Sequence, residues 1–119
     1  MMKINEEDRK KAKEDVNKLH MLLVNRADQS AELLDITDVL SQVGKKIDTV
    51  DNPSALINRL VNYIRSVAIA GKIHFPDEQE KLMIELSTMG QKAGLNGLYM
   101  ADFSDKSQFY SYLEKMPRR

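Results

Sequence analysis

Four stretches of this chain repeat apolar residues every three or four positions, which is the spacing of one face of an α-helix. The first stripe, within about residues 5 to 26, consists of Ala12, Val16, Leu19 and Leu23. The second, within about residues 30 to 48, consists of Leu33, Ile36, Leu40, Val43 and Ile47. No useful length alternates apolar and polar residues with the period of two typical of a β-strand. The pattern therefore predicts an all-α protein.

The boundaries of the third and fourth helices are marked by proline and glycine. Asn52 is expected to cap helix 3, with Pro53 at its first position and Gly71 at a left-handed C-terminal cap. Pro76 is expected to open helix 4 and Gly94 to close it. Because the links between the four helices are short, neighbouring helices should run antiparallel, as in a four-helix bundle.

The whole chain, 1–119, is short enough to form a single domain. We expect residues 5–94 to form the bundle and residues 95–119 to form a C-terminal loop followed by a short fifth helix. Asp105 followed three positions later by Gln108 has the spacing of a helix-capping box, which indicates where that fifth helix would begin. We expect this C-terminal tail to pack on helices 3 and 4.

Charge and composition exclude several classes of function. Eighteen basic and eighteen acidic residues give a formal net charge of zero, so no global attraction to nucleic acid is expected. The chain has no cysteine for a disulfide or a cysteine-based zinc site. No apolar stretch approaches the roughly 18 residues of a membrane span, and the N-terminal residues lack a secretory signal. These features predict a cytoplasmic protein without stable membrane insertion.

Residues capable of catalysis or metal binding do not cluster along the chain. The two histidines, His20 and His74, are far apart and lack neighbours at metal-ligand spacing. The GLNG run has neither the lysine nor the preceding strand of a phosphate-binding loop. We therefore expect no catalytic residues, no metal, no cofactor and no enzyme activity.

The basic and acidic residues are unevenly distributed. Residues 53–75 hold Arg59, Arg65 and Lys72 and no acid, whereas residues 29–52 hold two lysines and five acids. Helical geometry places Arg65 and Lys72 close together and Arg59 well away from them. Either helix 3 packs its basic side chains against the acidic helix 2, or a basic edge faces a partner, and both interpretations stay open.

The aromatic residues are confined to the second half of the chain. They are Tyr63, Phe75, Tyr99, Phe103, Phe109, Tyr110 and Tyr112. Some of these rings can pin the tail to the bundle, but seven are too many for the interior of one end of a small bundle. Exposed aromatic residues are common anchors of protein contacts. The distribution therefore favours binding of a partner through the C-terminal half.

Two runs in that half resemble the enterocin A immunity family, the immunity proteins of pediocin-like bacteriocins. They are ALINRLVNYI with GKIHF, within residues 55–75, and GLNGLYMADFSDKSQF, residues 94–109. The resemblance implies a cytoplasmic antiparallel four-helix bundle that protects the cell against a pore-forming peptide. It implies action on the toxin-bound membrane component of the mannose phosphotransferase system, with specificity set by the C-terminal half.

The matched runs, together with the charge and aromatic distributions, suggest two sets of site residues. The residues expected to dock the tail are Asn58, Asn62, Tyr63, Leu98 and Tyr99. The residues expected to bind a partner are Arg59, Arg65, Lys72, Phe103, Lys106 and Tyr110. All members of the second set except Arg59 are expected to be exposed.

The sequence also allows a second interpretation. The same aromatic end could belong to a helical adaptor or regulatory protein that binds another protein. The three-four spacing of helix 2 would allow a homodimeric seam as well.

Overall fold

The computed structural model describes residues 6–93, 105–111 and 113–117. Its four α-helices are α1 (Glu6–Val24), α2 (Ala31–Lys46), α3 (Pro53–Gly71) and α4 (Asp77–Gly90). A 3₁₀ turn, Gln91–Ala93, follows α4, and a second, Lys106–Phe109, lies in the tail. The prediction of an all-α four-helix bundle is confirmed. The predicted closure of helix 4 at Gly94 lies outside the described residues, and α4 itself ends at Gly90.

The four helices pack in a ring in which α4 also contacts α1. Arg9, near the start of α1, donates a 2.7 Å hydrogen bond to the carbonyl of Ile47, just after the end of α2. Arg65, late in α3, pairs with Glu80, early in α4. Contacts that join the start of one helix to the end of its neighbour are those of an antiparallel pair.

The starts of α2 and α3 are fixed by side chains that satisfy free backbone N–H groups. The Ser30 hydroxyl accepts a 3.1 Å hydrogen bond from the Leu33 N–H. Asn52 Oδ1 accepts a 3.1 Å hydrogen bond from the Ala55 N–H, and Pro53 occupies the first helical position as predicted. Such caps satisfy donors that have no partner inside the helix.

The end of α3 differs from the prediction. The left-handed residue is Lys72, with φ 54° and ψ 41°, and not Gly71. Ile73 N–H donates to the Ala68 carbonyl at 2.8 Å and Lys72 N–H to the Ile69 carbonyl, which is a Schellman ending one residue later than expected. Gly71 serves packing instead, because a Cβ there would lie 2.7 Å from the Cβ of Glu32 in α2.

The core is built from the predicted apolar stripes. Every residue of the first two stripes is fully buried. The rest of the core consists of Val39 of α2, Phe75, Phe109, four residues of α4 (Leu82, Met83, Leu86 and Met89) and eight residues of α3 (Leu56, Ile57, Leu60, Val61, Tyr63, Ile64, Val67 and Ala68). The carboxylate of Asp15 in α1 is buried beside this core, with 2% of the residue's surface exposed.

The predicted fifth helix is a single 3₁₀ turn. Asp105 caps it by accepting a 2.9 Å hydrogen bond from the Ser107 N–H, while Gln108 donates to the Asp105 carbonyl. The turn ends at Tyr110, whose backbone is extended at φ −123° and ψ 138°. The hydrogen bonds of this 3₁₀ turn therefore hold only four residues. Because so short a turn is not stable alone, its position depends on packing against the bundle.

Candidate partner-binding surface

The tail docks on the bundle through an aromatic pair. Phe109 meets Tyr63 of α3 edge-on, with the ring centroids 5.3 Å apart and the ring planes at 75°. Both side chains are almost fully buried. Edge-to-face pairs of this kind add roughly 0.5–1.5 kcal/mol to the burial of the rings. Tyr63, expected from the sequence to dock the tail, makes this contact.

An ion cluster holds the beginning of the tail turn. Lys106 Nζ lies 2.8 Å from Asp35 and 3.0 Å from Asp38, both in α2, and it donates to the Pro117 carbonyl at 2.9 Å. The Lys106 side chain is only 11% exposed. The expectation that Lys106 is exposed is therefore wrong, because its ammonium group is drawn onto two carboxylates one helical turn apart.

A second polar cluster holds the tail farther along. Lys46 Nζ, at the end of α2, pairs with Glu114 at 2.7 Å and donates to the Phe109 carbonyl at 3.0 Å. Gln42 donates to the same carboxylate, as does the Ser111 N–H. These interactions, led by Lys46, lower the pKa of Glu114 to about 2. Glu114 therefore stays charged throughout the neutral and mildly acidic range.

The described part of the tail lies mainly on a helix other than those predicted. Its described part packs on α2 and on Tyr63 of α3, where the sequence predicted helices 3 and 4. The excess of acids in α2 is the physical reason, because Asp35 and Asp38 offer a site for a cation from the tail. The aromatic contact to α3 is the part of the prediction that holds.

Two tyrosines beside these clusters resist ionisation. Burial is the main cause that raises the pKa of Tyr63, and the charge of Asp35 adds to it. Burial also raises the pKa of the half-buried Tyr110. Both phenols are therefore neutral at physiological pH.

The α3–α4 hairpin has a surface groove at the end where residues 72–76 connect the two helices. Arg65 binds both carboxylate oxygens of Glu80, at 2.7 and 2.6 Å. This bidentate pair stands at the wall of a cavity of about 490 Å³, lined by Arg65, Ala68, Ile69, Lys72, Ile73, His74, Phe75, Asp77 and Glu80. Arg65 and Lys72 lie in one groove, as their helical spacing predicted.

The two basic residues of this groove, Lys72 and Arg65, differ in how readily they can contact a partner. Lys72 is exposed at the tip of the hairpin, next to Ile69, whose side chain is 79% exposed. Arg65 is half-buried and already paired with Glu80. The alternative in which helix 3 neutralises the acids of helix 2 does not describe Arg65, which pairs with α4.

Arg59 lies outside that groove. It is half-buried, and burial lowers the pKa of its guanidinium group. Asn58 and Asn62 are half-buried on the same helix. The backbone of Asn58 is in close contact with α4, since a Cβ on Gly90 would lie 2.9 Å from the Asn58 N and Cα atoms.

Three of the predicted site residues, Leu98, Tyr99 and Phe103, lie outside the described residues. Conversely, the structure assigns tail contacts to residues that the sequence did not single out, namely Asp35, Asp38, Gln42, Lys46 and Glu114. The signal that could have found the two aspartates is the acidic excess of helix 2, for which the basic side chains of helix 3 are one of the two interpretations that the sequence leaves open.

Within residues 6–93, 105–111 and 113–117, no three histidine, aspartate or glutamate side chains converge as a metal site would require. None of the helices described there combines the length and hydropathy needed to cross a membrane.

Comparison with known proteins identifies the relatives of this bundle. The sequence profile of the bacteriocin immunity protein family matches residues 8–91, from the first helix to the 3₁₀ turn after the fourth. The chain belongs to that family. The matched region of this immunity-family protein contains α2, which carries Asp35 and Asp38, and the α3–α4 hairpin, which forms the groove.

Two curated relatives match this immunity-family protein over most of its length. A probable leucocin-A immunity protein of Leuconostoc gelidum is 60% identical over 99 residues, covering 83% of this chain and 87% of the relative. A probable mesentericin-Y105 immunity protein of Leuconostoc mesenteroides is 57% identical over 97 residues, covering 82% of this chain and 85% of the relative. No solved structure matches the chain.

Proposed function

We propose that this chain protects the cell that makes it from a pore-forming, pediocin-like bacteriocin. The observation that carries the proposal is the family match across all four helices. Two relatives near 60% identity, described as immunity proteins toward leucocin A and mesentericin Y105, make peptides of that kind the first candidates. The protein acts from the cytoplasm on the membrane component of the mannose phosphotransferase system once the peptide has bound there.

The groove at the end of the α3–α4 hairpin is the first candidate for contact with that assembly. It combines the exposed apolar side chain of Ile69 with the exposed cation of Lys72. An apolar anchor with a charged rim is the usual anatomy of a protein contact site. Tyr110, half-buried on the docked tail, is a second candidate.

The other expected partner-binding residues take different places in this proposal. Lys106 is assigned to holding the tail, because its ammonium group is occupied by α2. Arg65 shapes the groove through its pair with Glu80. Arg59 remains a candidate contact on another face of α3.

Capture on the receptor tests the proposed site of action. Membranes containing the tagged mannose phosphotransferase component are solubilised with this protein, in the presence and absence of leucocin A. We expect the protein to be retained only when receptor and peptide are both present. Equal retention without receptor, or tight binding to the free peptide, would contradict action on the assembly.

Matched variants locate the contact. Lys72→Glu and Ile69→Ser should weaken retention while leaving the fold intact, because both side chains are exposed. Lys45→Glu, which changes an exposed lysine of α2 in the same way, is the control. Unchanged retention of both groove variants would remove the groove from the proposal.

A further inference from the structure

The contacts between tail and α2 follow a charge pattern along the helix. Two acids of α2, Asp35 and Asp38, meet the cation Lys106, whereas the cation Lys46, farther along α2, meets the acid Glu114. Between Lys106 and Glu114 the tail thus runs along α2 in the same direction as the helix, and Pro117 then returns to Lys106. A reversed tail would place Lys106 near Lys46 and Glu114 near the two aspartates. Repulsion between like charges therefore opposes that alternative.

The Lys106 end of this arrangement is shielded from water. Its side chain is 11% exposed, and those of Asp35 and Asp38 are 32% and 23% exposed. Two carboxylates three positions apart on one helix repel each other unless a cation lies near them. Partly buried charges are also screened less by salt than exposed ones. The cluster consequently constrains the tail more than a surface ion pair would.

We infer that α2 sets the position of the C-terminal tail by charge, and that Asp35 and Asp38 are positioning residues for partner recognition. They hold Lys106, the neighbouring turn seats Phe109 on Tyr63, and the half-exposed Tyr110 follows in a fixed place. This inference rests on the proposed function for its biological consequence. It makes α2, in the N-terminal half, a determinant of which bacteriocin is countered, without direct contact between its two aspartates and the partner.

The position of the tail can be measured directly because the chain has no cysteine. Spin labels on Lys81→Cys of α4 and Ser111→Cys of the tail, both exposed positions, report the distance between tail and bundle by pulsed electron resonance. A second pair, Ser41→Cys with Lys81→Cys, reports the bundle alone. The first distance should be narrowly distributed in the otherwise unchanged chain.

Charge reversal tests the role of the two aspartates. Lys106→Glu should broaden the tail distance, leave the bundle distance narrow and lower protection by about tenfold or more. Adding Asp35→Lys and Asp38→Lys to Lys106→Glu recreates the cluster with opposite signs. This triple variant should restore the narrow tail distance and most of the protection.

Two further variants keep the experiment interpretable. Lys115→Glu makes the same charge change at an exposed position of the same tail and should alter neither distance nor protection. Lys106→Met keeps the aliphatic part of the side chain and removes the charge, so it still tests the cluster if Lys106→Glu fails to fold. It should broaden the tail distance as well.

Three results would overturn the inference. One is a narrow tail distance in both Lys106 variants. Another is a triple variant that leaves the tail displaced. The last is a triple variant that restores the tail position but not protection, because Lys106 would then contact the partner itself. If the unchanged chain gives no protection, the proposed function fails, while the distances still decide whether α2 positions the tail.

Discussion

Phe109 of the tail lies edge-on against Tyr63 of α3, and both rings are buried in the same core as the helices. Among the described residues of the tail, Phe109 alone is buried in the packed interior, and all the others are exposed or half-buried. Removing the ring would leave Tyr63 facing an empty space that water or a shifted tail must fill.

Phe109→Ala should lower the free energy of unfolding by about 3 kcal/mol, since a buried ring and its aromatic contact are lost. Urea unfolding followed by circular dichroism measures this change. Leu113→Ala is the matched control in the same tail, because Leu113 is 83% exposed and should matter by less than about 0.5 kcal/mol. Equal effects of the two variants would show that the tail is not docked through Phe109.

Gly90→Ala should destabilise the bundle by about 1–3 kcal/mol, because the new methyl group would meet the backbone of Asn58 at 2.9 Å. Gly44→Ala is the control with the opposite sign. Its methyl group would meet the exposed Asn17 side chain at 3.1 Å, which can move, and Val16 Cγ1 at 3.9 Å, which is an ordinary contact. Alanine is favoured over glycine within a helix by about 1 kcal/mol, so Gly44→Ala should be neutral or stabilising. Chemical denaturation of both variants decides between these outcomes.

Prediction from the sequence succeeded where the determinants are local. The apolar stripes of α1 and α2 and the Asn52–Pro53 start of α3 depend on residues within a turn or two of one another. The tail could not be placed in this way, since its position depends on Lys106 meeting Asp35 and Asp38, which are distant in the chain. The sequence shows the acidic excess of helix 2, but no neighbouring residue indicates which cation pairs with Asp35 and Asp38.

The end of α3 shows a different limit. Glycine commonly takes the left-handed position after a helix, so Gly71 was the natural expectation. The structure assigns that conformation to Lys72, because Gly71 is needed where α3 passes Glu32 at close range. A glycine required for helix contact and one required for backbone conformation look alike in a single sequence.

Lys72→Gly should therefore stabilise the protein by about 0.5–1 kcal/mol, since a left-handed conformation is strained for lysine and easy for glycine. Ala70→Gly, at an exposed helical position two residues earlier, should instead destabilise it by about 1 kcal/mol. Thermal and urea unfolding measure both. If Lys72 contacts the partner as proposed, Lys72→Gly will also lower protection while raising stability, which a purely structural residue would not do.

Asp15 gives the fold a dependence on pH. Its side chain is buried, one oxygen lies 3.2 Å from Lys11 Nζ, and the other has no hydrogen-bond partner among the described atoms. Burial, with a contribution from Glu85, raises the pKa of Asp15 from 3.8 to about 6. Because the folded state holds this proton more tightly than the unfolded state, the resulting stability is present below about pH 4 and is lost as pH rises through 6.

Asp15→Asn imitates the protonated side chain and should be more stable than the unchanged protein at about pH 7.5, with the difference shrinking as pH falls from 6 toward 4. Urea midpoints at several pH values test this. Glu14→Gln, at an exposed neighbouring position, is the control and should change stability by less than about 0.5 kcal/mol. A loss of stability in Asp15→Asn at pH 7.5 would mean that the Lys11 pair outweighs the burial of the charge.

A killing assay measures directly whether this chain protects the cell that makes it. The chain is expressed in a strain sensitive to pediocin-like peptides, and survival is measured against a panel that includes leucocin A and mesentericin Y105, the peptides named in its relatives. We predict raised survival against one or a few of these peptides and none against pore-formers of another class. Unchanged killing by every peptide, in cells shown to contain the folded protein, would mean that this chain does not confer immunity to pediocin-like peptides.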